Sequence, residues 1–157
     1  MTESLRTRLV GTWRLVSYET MEPDGSRGRP YGDAVGRLEY DDCGNMAGQV
    51  MRPGRPRVEV GEGAAQQVRA AYLGYIAYFG TYEIAADGER VVHHVEGALN
   101  PAWVGGDQTR TLRFEGERLV LTADVPKAGA IVTHVLTWER SPASPQSGVG
   151  EISTEPA

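Results

Sequence analysis

Between Val91 and Arg110 the chain reads VVHHVEGALNPAWVGGDQTR, which places two histidines, a glutamate, an asparagine, a tryptophan, an aspartate and an arginine within twenty positions. An imidazole beside a carboxylate is the pairing that general acid–base catalysis needs. The ring titrates near working pH, and the carboxylate orients it or raises its pKa. An arginine keeps its proton at any working pH, so on an inward face it requires a carboxylate or a ligand anion. A run of this kind is either the lining of a cavity or a solvated surface.

Strand alternation sorts these residues by face. In the segment Gln108 to Glu115, Arg110 shares its parity with Leu112 and Phe114, which places it inward. The preceding segment offers two parities. Val91, His93 and Val95 form the more apolar set, whereas Val92, His94, Glu96 and Ala98 form the set that supplies Arg110 with a partner. The need for a counter-charge favours the second, giving an inward His94–Glu96–Arg110 cluster with His93 outward. One histidine faces the interior with either parity. The candidate catalytic residues are therefore His94, Glu96 and Arg110, with His93 as the alternative base. A structural salt bridge is the plainer reading, although an ion pair buried for stability alone gains little over apolar packing.

Around this cluster, Asn100, Trp103 and Asp107 fall in or beside a Gly/Pro-rich loop, where ligand contacts commonly sit. Trp103 is a candidate lid, and Asp107 alternatively caps a turn. Tyr72, Tyr75, Tyr78 and Tyr82 are candidate phenol donors, and His134 shares its parity with Val132, Leu136 and Trp138. Adjacent histidines on a strand face opposite ways, so His93 and His94 do not form a metal pair. No phosphate-binding loop or nucleophile elbow is recognisable, and Cys43 has no evident base. No metal and no cofactor is expected.

These side chains need elements to hold them. Alternating segments run from Gly11 to Thr20, Val35 to Asp41, Asn45 to Arg52, Thr81 to Ala85, Arg90 to Ala98, Gln108 to Glu115, Leu119 to Val125 and Ile131 to Arg140. Turn signals separate them, including Asp41-Asp42-Cys43-Gly44, Asp87-Gly88 and Gly116-Glu117. One stretch, about Gly63 to Tyr78, has Val68, Tyr72, Tyr75, Ile76 and Phe79 on a single face at the helical period. The expectation is an all-β fold of eight antiparallel strands with one helix between strands 3 and 4. Strands in this order close best as an up-and-down barrel, whose interior is filled by side chains or holds one small ligand. The first and last strands are then neighbours, which brings Trp13 against Arg140 at one end.

The opening Gly11-x-Trp13 with a late arginine, and the ordered segments LVGTWRLVSYE (9–19), YGDAVGRLEY (31–40), VMRPGRP (50–56), YIAYFGTYEI (75–84) and HHVEGALNPAWVGGDQTR (93–110), resemble the lipocalin-like domain proteins of bacteria and fungi, a calycin-type group. The resemblance spans about residues 9 to 140 and implies an eight-stranded barrel with one helix. A few similar barrels act as cyclases or isomerases in natural-product pathways. The primary expectation is thus a cofactor-independent cyclase or isomerase that folds a partly apolar metabolite. The alternative is a non-catalytic carrier, and a closed structural module is a third.

The bulk numbers bound the rest. At 157 residues the chain is one domain, 1–140, followed by a disordered tail, 141–157. A net charge of −5 argues against nucleic acid and against anionic membrane surfaces as partners. The single cysteine makes no internal disulfide, and no signal peptide or spanning segment is recognisable, so the cytoplasm is the default location. The expected partner is a small-molecule ligand or substrate. Nothing in the sequence chooses between a monomer and a homodimer.

Overall fold

The structure is a computed structural model, and it describes residues 3–59, 61 and 63–145. After a short helix α1 (Leu5–Leu9) come β1 (Gly11–Met21), β2 (Arg27–Gly28), β3 (Val35–Tyr40) and β4 (Asn45–Met51). Helix α2 (Ala65–Leu73) leads to β5 (Tyr75–Ile84) and β6 (Arg90–Ala98). A 3-10 turn (Pro101–Trp103) precedes β7 (Asp107–Glu115), β8 (Arg118–Lys127) and β9 (Ala130–Arg140). Every pairing is antiparallel, and β9 returns to β1 to close the sheet. The two-residue β2 pairs only with the end of β1, so the closed barrel has eight strands, with α2 between its third and fourth.

One end of this barrel is plugged. Leu9, Trp13, Leu119 and Val91 are fully excluded from solvent there, with Tyr40, Met46 and Leu112 nearly so. Trp13 donates its indole N–H to the Leu9 carbonyl at 2.9 Å, which ties α1 across the floor. The Arg140 guanidinium lies 4.4 Å from the Trp13 ring centre and donates to the carbonyls of Val10 and Arg8. Trp13 and Arg140 are direct partners across the β1–β9 ladder, as the chain order requires. Gly11 has φ +139°, and a Cβ there would lie 2.6 Å from Arg140 Nη1, so the residue before the tryptophan pair must be glycine for the guanidinium to seat. Arg140→Met is expected to lower the unfolding free energy by about 1 kcal/mol through loss of these contacts, with ligand affinity unchanged. Urea denaturation checks it, and an unaltered midpoint would show that the plug stands without Arg140.

The helix is shorter than the apolar period suggests. It ends at Gly74, whose N–H bonds the Ala70 carbonyl at 3.1 Å, and Tyr75, Ile76 and Tyr78 belong to β5. Periods of 2 and of 3.6 both place residues i, i+4 and i+8 together, so Val68, Tyr72 and Ile76 satisfied either template. The helical face is not buried: Val68, Tyr72 and Leu73 are all exposed. A second departure is α1, which caps the floor where the sequence reading had no element. The expected tail lies, from position 146 onward, outside the described residues. Among the described residues no helix is long and apolar enough to cross a membrane.

Candidate functional site

Above the floor the barrel encloses a cavity of about 510 Å³, within the ~300–1,000 Å³ of ordinary small-molecule pockets. Its apolar wall is built by inward residues of five strands, among them Leu38, Val50, Ile76, Leu121 and Leu136. Against this wall stands a belt of polar groups: Tyr18, Tyr78, His93, Arg110, His134 and Trp138.

The register fixes which histidine joins them. Arg110 pairs with Val91 and Gln108 with His93, and residues directly opposed across a ladder share a face. The inward set of β6 is therefore Val91, His93 and Val95, all nearly inaccessible. The expected inward His94–Glu96–Arg110 cluster is corrected accordingly. His94 points outward, where its Nδ1 lies 2.7 Å from Asp107 Oδ1 and its Nε2 lies 3.7 Å from Glu83 Oε2. The Asp107 hydrogen bond, chiefly, raises its pKa. Glu96 is exposed and has no counterpart in β5, because the ladder slips between Phe79 and Gly80. The bulge in turn demands glycine at this position, since a Cβ at Gly80 would lie 1.9 Å from the His94 carbonyl oxygen.

His93 sits between two phenols. Its Nε2 is 2.7 Å from Tyr40 Oη and its Nδ1 is 2.7 Å from Tyr78 Oη. Burial, with the nearby Arg110 charge second, pushes its pKa down to about 3, so the ring is neutral. Burial likewise raises the Tyr40 and Tyr78 phenols, and Tyr18 to about 12. On the opposite wall Tyr18 Oη lies 2.7 Å from His134 Nδ1, and burial lowers the His134 pKa. Arg110 makes no salt bridge among the described residues. It donates to the Thr109 carbonyl at 2.9 Å and to Gln108 Oε1 at 3.2 Å, and borders the cavity with its charge uncompensated.

The remaining candidates divide. Trp103 lines the cavity at its mouth and meets Tyr78 edge-on, with ring centres 6.0 Å apart. Asp107 also reaches the rim, but its carboxylate is engaged with His94. Asn100 does not line the cavity. Its side chain accepts from the Ala102 N–H at 3.0 Å and so caps the turn that carries Trp103. Tyr72 and Tyr75 line a separate surface cleft beside α2, and Tyr75 donates to Gln49 Oε1. Tyr82 faces inward at the floor, donates to the Asp41 carbonyl at 2.7 Å and packs edge-on against Tyr40.

Two residues of this polar network, Tyr40 and Tyr18, escaped the sequence reading as site residues. Tyr40 was accessible by parity, since Leu38 and Tyr40 alternate with exposed neighbours in β3. Tyr78 was among the candidate phenol donors, although the helical reading placed it on the wrong element. Tyr18 was hidden by a bulge between Leu15 and Ser17, which shifts the inward parity of β1.

Comparison with known proteins agrees with this architecture. A protein from Aspergillus oryzae named 4'-hydroxy-3'-methoxypropiophenone carrier protein ppsC is 34% identical over 108 residues, covering 62% of this chain and 97% of that protein. The family model for the lipocalin-like domain matches residues 10–141, almost the whole of the closed barrel, and the chain belongs to that family.

Proposed function

We propose that the protein is a carrier that encloses one small, largely apolar aromatic metabolite and holds it by its oxygen atoms. The observation that carries this reading is the pairing of an apolar-walled chamber of about 510 Å³ with an arginine that has no carboxylate partner among the described residues. Half-buried at the chamber wall, the Arg110 guanidinium keeps donors free for an oxygen atom of whatever enters. The similar fungal protein, named as a carrier of a substituted propiophenone, supports an aryl ketone as the ligand class.

Proton-transfer chemistry draws less support from the chamber. The acid–base pair expected from the sequence, His94 and Glu96, lies on the outer face. His93, held at about 3, is far from the operating range in which a general base is effective.

Titration of the full chain with 4'-hydroxypropiophenone, followed by tryptophan fluorescence and calorimetry, tests the proposal. Saturable binding at one ligand per chain is expected, with recovery of the ketone unchanged after incubation. Leu121→Trp, which fills the chamber from its wall, is expected to abolish binding while the barrel still unfolds cooperatively. Absence of saturable binding across a series of aryl ketones, or conversion of the bound ketone to product, would overturn it.

A further inference from the structure

The hydrogen-bond directions inside the chamber specify what the ligand must offer. A neutral imidazole has one N–H and one lone pair, so of the two phenols on His93 one donates and the other accepts. Tyr40 is 2% exposed, and among the described residues its hydroxyl has only His93 Nε2 as a partner. Were Nε2 the donor, the Tyr40 O–H would be buried without an acceptor, at a cost of about 1–3 kcal/mol. Tyr40 therefore donates to Nε2, the ring proton sits on Nδ1, and Nδ1–H donates to the Tyr78 oxygen. The Tyr78 hydrogen is the one left over, and Tyr78 lines the chamber.

The opposite wall follows the same logic. Tyr18 is 5% exposed and has only His134 Nδ1 as a partner among the described residues, so it donates and the ring proton is on Nε2. Trp138 also lines the chamber, but its indole nitrogen is closed off from it and has no partner among the described residues, so it is not offered to a ligand. The acceptors at the wall and rim are few, and each already holds one hydrogen bond: Gln49 from Tyr75, Gln108 from Arg110, Asp124 Oδ1 from Thr133 and Asp107 Oδ1 from His94.

We infer that the chamber wall presents mainly donors, and that Tyr78 O–H, His134 Nε2–H and the Arg110 guanidinium select a ligand by its acceptor oxygens and prefer a ketone carbonyl to the corresponding alcohol. This rests on the carrier reading and deepens it. A carbonyl satisfies a donor at no cost, whereas an alcohol brings an O–H that must reach the carboxylates at the rim or go unpaired. Tyr78 is the specificity residue, and Tyr40, which does not line the chamber, is a positioning residue acting through His93.

Two measurements test it on the full chain. In the ligand-free protein, long-range proton–nitrogen NMR is expected to show His93 protonated at Nδ1 and bare at Nε2. In calorimetry, 4'-hydroxypropiophenone is expected to bind at least ~10-fold more tightly than its secondary alcohol, about 1.4 kcal/mol. Tyr78→Phe is expected to reduce that preference to within about threefold. Tyr40→Phe removes the donor that fixes the ring, so the Nε2 tautomer is expected to become populated beside the Nδ1 form and the preference to fall part of the way. A wild-type ring protonated at Nε2, or an undiminished preference in Tyr78→Phe, would overturn the inference. If no aryl ketone binds the wild type, the carrier reading and the ligand preference both fail, while the tautomer still decides the direction of the relay.

Discussion

Replacing Arg110 with methionine is expected to weaken aryl-ketone binding by at least ~10-fold and up to ~100-fold, while leaving the empty barrel as stable as the wild type or more so. The two effects have opposite signs because the guanidinium has no counter-charge of its own. Its bonds go to the Thr109 carbonyl and Gln108 Oε1, neither of which neutralises it. A hydrogen bond from a charged donor contributes about 1.5–3 kcal/mol, which sets the loss of affinity. Methionine keeps the length and apolar stem of the side chain while removing the unmatched charge, so stability is expected to rise by up to about 1 kcal/mol. Arg110→Lys keeps the charge and loses the planar fork, so its affinity should lie between the two. His94→Ala is the control. Its side chain is on the outer face with Asp107 and Glu83, so affinity should stay within about twofold. Calorimetry and urea denaturation on the same preparations separate the outcomes. A variant that loses stability by more than 1 kcal/mol with affinity intact would make Arg110 a structural residue.

Arg110 also explains why the sequence was half legible here. Its inward parity followed from Leu112 and Phe114, and the pairing of Trp13 with Arg140 followed from chain order alone. The error arose in supplying Arg110 with a protein carboxylate. Alternation by itself favoured Val91, His93 and Val95, and the supposed need for Glu96 overrode it. The true neighbour across the ladder is Val91, and Glu96 is the residue the bulge leaves over. Arg110 is only half-buried at the cavity wall, so the rule that buried charges are paired did not oblige it to find a protein carboxylate. Bulges account for most of the remainder. Those near Ser17 and Gly80 each shift parity once, and no side-chain pattern announces them. The Tyr40–His93–Tyr78 relay joins β3, β6 and β5, a contact between distant segments that only the closed sheet creates.

The relay carries a cost that should appear as pH dependence. His93 has a pKa of about 3 in the folded protein against 6.5 for an ordinary histidine, chiefly because burial excludes the imidazolium. Between those values the unfolded chain binds a proton that the folded chain refuses. The stability associated with His93 is therefore fully present above pH 6.5 and is lost as pH falls, with a slope approaching 1.4 kcal/mol per pH unit. From pH 6 to pH 4 the loss assigned to this one ring is roughly 2–3 kcal/mol. Wild type and His93→Gln separate it from the rest of the titration. A glutamine accepts from Tyr40 through its carbonyl oxygen and donates to Tyr78 through its amide, yet has no proton to take up. His134 also has a lowered pKa, but it titrates in both proteins and cancels in the difference, as do the surface carboxylates. At pH 7 the variant is expected to be less stable by about 1–2 kcal/mol, since the amide fits a ring-shaped site imperfectly. With falling pH the two stability curves should converge and cross near pH 5–6, read by urea denaturation at half-unit steps. Parallel curves would mean that the buried ring accepts its proton without penalty, and the neutral relay between the two phenols would be wrong.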